Sequence, residues 1–258
     1  MINIIMMYDI RGLKLGFSTL SIFMRPPESW SGTALEDHFN ALEVLCEGPM
    51  WPRHGLWSVN NIGGDGLDVY LHAPTVDLNP ASINKGIREE TLRQLKETVD
   101  MAAGIGAPYV TTHPGIVHKP IPRIWEMCLE YAMQVLGEAA DYAKNNNVIL
   151  SIENMPLKKT YLCTSAEELD KFRKRCGCGV TIDVGHAITC PDPVSFLRLP
   201  GISYLHVNDN KGDKDAHLCP GDGILDLSLL KLHDRMIIEL NDYDNVLRAR
   251  DVILRALQ

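Results

Sequence analysis

Two hydrophobic periods run along this chain. Short apolar runs of strand length recur at Leu13–Ser18, Asp68–His72, Tyr109–His113, Val148–Glu153, Gly179–Asp183, Ser203–Val207 and Arg235–Leu240. Runs of this length, bounded by turn residues, predict buried strands. A weaker candidate, His54–Val59, fills the second place. Between the runs, apolar residues recur at helical spacing. Gly32–Gly48, with Leu35, Phe39, Leu42 and Leu45 in register, predicts a helix that Gly48-Pro49 breaks. Ile87–Ala103, Pro122–Asn145 and Tyr243–Leu257 predict amphipathic helices, with shorter ones at Pro193–Arg198 and Asp226–Leu232. Ser165 followed by Glu168 predicts a capping box at the start of another. Asn60–Gly66 is too short and glycine-rich for a helix.

Strand and helix therefore alternate about eight times, which implies an α/β protein with a parallel sheet and helical crossovers. Eight such units suit a (β/α)₈ TIM barrel, read here as a single domain over residues 1–258 with residues 1–12 as an N-terminal extension. A doubly wound open sheet is the alternative. Polar residues gather at the C-terminal ends of most candidate strands. A barrel brings those ends around one mouth, whereas an open sheet spreads them along an edge, so the barrel is preferred.

The formal charge of −8 disfavours broad nonspecific binding to nucleic acid or to an anionic membrane, though a local basic face is compatible with it. No apolar run reaches the length of a membrane span. The opening MINIIMMYDI lacks the basic start and small-residue cleavage site of a signal peptide. The seven cysteines are scattered, with Cys176 and Cys178 the only close pair, and read as free thiols of a cytoplasmic protein. The basic run Lys171–Arg175 reads as a solvated helix face, and Lys158-Lys159 as a weak basic feature.

Chemistry concentrates at the strand ends. His206 closes one strand, and Asp215 and His217 follow in its loop, all within twelve residues. Six more residues of metal-ligand type end or follow other strands: His72, His113, Glu153, Asp183, His186 and Glu239. Imidazole and carboxylate together are the usual donors to zinc and similar divalent ions. Nine donors exceed the needs of one ion. A bridging carboxylate such as Glu153 can join two ions about 3.5–4 Å apart, an arrangement suited to phosphodiester hydrolysis.

On His72-Ala-Pro, His113-Pro-Gly, Glu153-Asn154, Asp183-Val-Gly-His186, His206-Val-Asn208-Asp and Asp215-Ala-His217-Leu-Cys-Pro-Gly-Asp-Gly, the chain resembles the xylose-isomerase-like TIM-barrel superfamily. That superfamily includes endonuclease IV and many sugar isomerases and epimerases. The endonuclease IV resemblance implies up to three zinc ions on the nine residues, with His72, His113 and Glu153 on the first. Glu153, Asp183, His217 and Glu239, combined with His186, His206 and Asp215, would hold the others. The isomerase branch implies one ion, such as Mn, Mg, Co or Zn, on Glu153, Asp183, His206 and Glu239. There Glu153 and Glu239 double as the acid/base pair, His186 touches substrate, and His72 and His113 line the pocket.

Three functions compete on this reading. A zinc-dependent phosphodiester hydrolase acting on damaged DNA or a small phosphorylated substrate is preferred for its ligand count. A single-ion sugar isomerase or epimerase is the alternative. A barrel that binds a small ligand without turnover has no use for such a cluster. The reduction of the region after strand two to Asn60–Gly66, the acidic charge and Glu153-Asn-Met-Pro count toward the isomerase, and Thr75 after His-Ala-Pro is a further departure from endonuclease IV that counts against abasic DNA. Asn154, Asn208 and Trp57 are the expected substrate contacts, and Trp30 and Trp51 are candidates for the pocket wall. Trp51, Arg53 and Trp57 are the nearest residues that could replace a DNA-contacting loop.

Overall fold

The computed structural model describes residues 12–48, 62–63 and 66–258. Eight parallel strands close into a barrel in chain order. They are β1 Lys14–Ser18, β2 Ala41–Leu45, β3 Asp68–His72, β4 Tyr109–Thr112, β5 Ile149–Glu153, β6 Gly179–Asp183, β7 Ile202–Val207 and β8 Arg235–Ile238. Around them lie α1 Trp30–Glu36, α2 Lys85–Ile105, α3 Pro122–Asn145, α4 Ala166–Cys176, α5 Val184–Ile188, α6 Pro193–Leu197 and α7 Tyr243–Leu257. Residues 227–232 form a 3₁₀ turn where the sequence predicts a short helix. No described helix is long and apolar enough to cross a membrane. All seven cysteines are free.

One prediction fails over residues 32–48. The helix ends at Glu36, His38 takes the left-handed conformation at φ 61°, and the chain turns into β2. Asn40 fixes the entry: its Oδ1 accepts from the Leu15 amide at 2.8 Å and its amide donates to the Leu13 carbonyl at 2.9 Å. Leu35, Phe39, Leu42 and Leu45 match a helical period only by coincidence, because Leu42 and Leu45 belong to a strand. The second strand is thus Ala41–Leu45, and His54–Val59 falls outside the described residues. The segment after β2 consequently runs through residues 46–67 and is not reduced to Asn60–Gly66.

The barrel follows from strand alternation, which sends successive side chains to opposite faces. One set, including Phe17, Leu42, Leu71, Val110, Ile152, Ile182, Leu205 and Ile238, is buried in the main apolar cluster together with helix residues such as Leu95, Leu136 and Phe172. The other set fills the barrel. Ala41, Tyr70, Tyr204 and Ile237 form an inner apolar cluster. Two residues further along β2, β3, β7 and after β8 come Glu43, His72, His206 and Glu239. The same step leads from Thr111 to His113, Ser151 to Glu153 and Thr181 to Asp183. A period of two therefore places one donor on or just after each of β2 to β8 beyond the inner packing, at the C-terminal mouth for all but Glu43, which stays mid-strand. In β7 the pairing shifts by one residue, Val180 facing Ile202 and Thr181 facing Tyr204. Without that shift His206 would point to the other face.

Capping sets the crossover helices. Asn84 caps α2 and Gly106, at φ 75°, closes it. Ser165 caps α4 by accepting from the Glu168 amide at 3.2 Å. Glu168 does not complete the expected capping box: its carboxylate accepts from the Cys163 amide at 2.6 Å.

Candidate metal centre

All nine strand-end residues lie at the C-terminal mouth. Their donor atoms form two groups close enough to share an ion and a third, looser set around Asp215. His72, His113 and Glu153 bring donor atoms within 4.8 Å of one another, and so do Glu153, Asp183, His206 and Glu239. Glu153 belongs to both: Oε2 is 3.4 Å from His72 Nε2 and 3.2 Å from His113 Nε2, while Oε1 is 3.1 Å from His206 Nδ1. The third group centres on Asp215, whose Oδ2 is 3.2 Å from His186 Nε2 and 3.1 Å from His217 Nε2.

The imidazoles are oriented from outside. His72 Nδ1 donates to the Ala73 carbonyl at 2.8 Å, His186 Nδ1 to Asn154 O at 2.7 Å and His217 Nδ1 to Glu239 O at 2.9 Å. A carbonyl can only accept, so each Nδ1 carries a proton and each Nε2 is turned to the carboxylates. This is how proteins prepare histidines as metal ligands. His217 holds its orientation at φ 45°, a left-handed conformation that a side-chain-bearing residue seldom adopts.

Asp183 is held from three sides. Its Oδ1 caps α5 by accepting from the His186 amide at 2.6 Å. Asn208 donates to Oδ2 at 2.8 Å. Asn154 receives the Asp183 amide at 2.8 Å and donates to the Asp183 carbonyl at 2.9 Å. Asn154 and Asn208, expected against substrate, are both fully buried and turned to Asp183. Trp30 is likewise buried, with its indole donating to Arg25 O at 3.2 Å, and packs in the apolar cluster instead of walling the pocket. Trp51 and Trp57 lie outside the described residues.

Crowded charges shift the titrations. Burial pushes the Glu239 carboxyl up to about 7, and the charges of Glu153 and Asp183 push the same way against His206 and His217. Asp183 is raised mainly by burial. Burial would also raise Asp215, but bonds from His186 and His217 hold it below its ordinary range. Burial depresses imidazoles, and at His113 that effect prevails. At His72 the Glu153 bond overcomes burial and lifts the ring to about 9, and at His217 the Asp215 bond lifts it to about 10.

The donor set fits divalent cations. Five imidazoles and four carboxylates converge, the mixture that zinc and its neighbours bind. Asp215 Oδ1 is buried with no hydrogen-bond partner among the described residues, as an oxygen reserved for a cation would be.

One buried charge at this site was not among the expected residues. Glu43, midway along β2, sits 2.8 Å from His206 Nε2 through Oε2. A carboxylate inside the five-residue apolar run Ala41–Leu45 was its signal, masked by the helical spacing around it.

The family described as Xylose isomerase-like TIM barrel matches residues 59–243. The chain belongs to that family. Among curated proteins it is 30% identical over 228 residues to the uncharacterised protein MJ1311 of Methanocaldococcus jannaschii, covering 82% of this chain and 75% of that one. It is 25% identical to a probable endonuclease 4 of Mycobacterium leprae, covering 83% of this chain and 79% of that one. Among solved structures, a D-tagatose 3-epimerase-like protein superposes with a TM-score of 0.86 at 25% identity, covering 95% of this chain and 97% of that one. Members of this xylose-isomerase-like fold thus carry both nuclease and epimerase names.

Proposed function

We propose that the mouth is a centre for several divalent ions, zinc foremost, and that the protein hydrolyses a phosphodiester. The observation that carries this reading is the third donor group. A single-ion isomerase centre needs only Glu153, Asp183, His206 and Glu239 as ligands, and two further histidines converging on one oxygen of Asp215 exceed that set. Bound zinc would supply Lewis acidity for phosphoryl oxygens and lower the pKa of a water to about 7. The chain's own part is to hold the donors. Glu153 turns one oxygen to each of two groups, while Asn154 and Asn208 lock Asp183 between them.

The rim suits a phosphate-bearing substrate despite the acidic total. Lys119, Lys158, Lys159, Lys211 and Lys214 are exposed on the loops after β4, β5 and β7. Phosphate contacts from such residues supply much of the affinity for nucleic acids. The sequence between β2 and β3 includes Trp51, Arg53 and Trp57, residue types that contact phosphate and bases. A damaged-DNA or small phosphorylated substrate fits these features.

The single-ion epimerase is the second reading, favoured by the 0.86 TM-score to a D-tagatose 3-epimerase-like protein. In it Glu153 and Glu239, both beside His206 Nδ1 at 3.1 Å, act as the acid/base pair. Elemental analysis of purified protein, paired with assays on a model phosphodiester, abasic duplex and free ketoses, separates the two. More than one zinc equivalent with diester cleavage supports the hydrolase. One equivalent with ketose epimerisation and no cleavage replaces it.

A further inference from the structure

Glu43 lies outside the strand-end motifs and below the three donor groups. It is fully buried in the middle of β2. A carboxylate in a barrel interior is costly unless its charge is matched. Its matched oxygen, Oε2, has two neighbours: the Tyr204 hydroxyl donates to it at 2.7 Å, and His206 Nε2 stands at 2.8 Å. The Tyr204 hydroxyl is itself 2.6 Å from Thr111 Oγ1, which meets Thr181 Oγ1 at 2.5 Å. A chain of hydroxyls across the barrel thus anchors the carboxylate from beneath. Oε1 has no partner among the described residues, so the hydrogen bonds to Glu43 fall on one oxygen.

The consequence appears at His206. Its other nitrogen, Nδ1, lies 3.1 Å from Glu153 Oε1 and 3.1 Å from Glu239 Oε2. An ionised carboxylate accepts and cannot donate, so when Nδ1 is given to an ion among Glu153, Asp183 and Glu239 the one ring proton sits on Nε2, where Glu43 accepts it. This reverses the other oriented histidines, whose Nδ1 donates to a backbone carbonyl and whose Nε2 faces the site. It also differs in strength, because the acceptor behind His206 is a full charge. A charged acceptor on the far nitrogen raises the basicity of the near one.

We infer that Glu43 is a positioning residue for the metal centre: it fixes His206 as the Nε2–H tautomer and turns Nδ1 toward Glu153, Asp183 and Glu239. The inference rests on the metal-centre reading, and it holds for one ion or several because His206 is a ligand in both. Packing alone does not account for it, since a leucine would fill the apolar run without an orphaned oxygen.

The test uses the metal-stripped full chain as wild type, E43Q and E43L. Zinc is titrated against a chromophoric chelator. The zinc-loaded proteins, labelled with ¹⁵N-histidine, then report the His206 Nε2–H signal, identified by its absence in H206N. E43L is expected to bind zinc about ten- to a hundredfold more weakly, the usual effect of losing such a partner, with the Nε2–H signal lost or in exchange. E43Q keeps an acceptor without the charge, so it should lose less affinity and keep the signal. Wild-type affinity and an unchanged signal in both variants overturn the inference, even if their melting temperatures fall, because that pattern belongs to a purely structural residue. If E43L does not fold, wild-type affinity in E43Q overturns it. Wild type that binds no zinc removes the metal-centre reading and this inference together. Wild type that binds zinc beside unaffected variants removes the inference alone.

Discussion

Glu153 Oε2 lies 3.2 Å from Nε2 of His113. His113 follows β4 and is the half-buried member of its group, with a third of its side chain exposed, while Glu153 is sealed beneath it. The pair marks the boundary between two donor groups, since the second oxygen of Glu153 faces His206. H113A should therefore lower bound zinc by about one equivalent and leave the remainder loaded through Asp183, His206 and Glu239. Diester cleavage should fall by about a hundredfold or more, as when one stabiliser of developing charge is removed. Elemental analysis and initial rates check both. A single equivalent in wild type and in H113A alike would sink the multi-ion reading.

Asn208 and Gly185 offer a test of how Asp183 is held. A methyl group added at Gly185 would meet Asn208 Oδ1 at 1.7 Å, so the glycine permits the side chain that bonds Asp183. G185A and N208A should then share a phenotype: zinc retention about ten- to a hundredfold weaker, with KM little changed. Chelator competition and steady-state kinetics separate this from substrate contact. A raised KM with normal zinc retention would restore Asn208 to the substrate.

The barrel was legible in the sequence because seven of its strands are continuous apolar runs and their ends carry donors. The exceptions have local causes. β2 was hidden because Phe39, Leu42 and Leu45 continue a helical spacing across a turn that only His38 and Asn40 disclose. With β2 lost, Glu43 was lost too, and the segment before β3 seemed short. Asn154 and Asn208 were read as substrate contacts because strand-end polar residues often are. Which of them turn inward depends on Asp183 and Gly185, across strands that sequence spacing does not relate. The grouping of donors was only partly legible: Glu153 as a bridge follows from its motif, but the meeting of His186 with Asp215 needs the fold.

Glu168 carries a pH dependence of stability. Its half-buried carboxyl is raised above the ordinary 4.5 by burial, although the Cys163 and Thr164 amides oppose the shift. A raised folded pKa means that the native state binds the proton more tightly than the unfolded chain. The resulting stabilisation is full below the unfolded pKa and is lost as pH rises through the folded value. E168Q keeps an acceptor for the Cys163 amide and cannot titrate. The stability of wild type relative to E168Q should thus decline as pH climbs above 4.5 and then level off. Urea unfolding of both proteins across that range measures it. A difference that grows with pH would mean that the amide bonds, and not burial, set this carboxyl.

Asp215 separates the two enzyme readings most directly. It stands on the loop after β7, and one of its oxygens meets both His186 and His217 while the other is buried with no hydrogen-bond partner among the described residues. As a ligand of its own ion, it cannot be replaced by asparagine without loss, because the amide presents one neutral oxygen where two charged ones stood. D215N should therefore release about one equivalent of zinc, leave the ions on Glu153 in place and reduce diester cleavage by about a hundredfold or more. As a pocket residue of an epimerase, Asp215 would only orient His186. D215N would then leave a single equivalent of metal untouched and act on ketose KM. Zinc content, cleavage rate and epimerisation rate measured on the same preparation distinguish the cases. Retained zinc with a changed ketose KM would overturn the hydrolase.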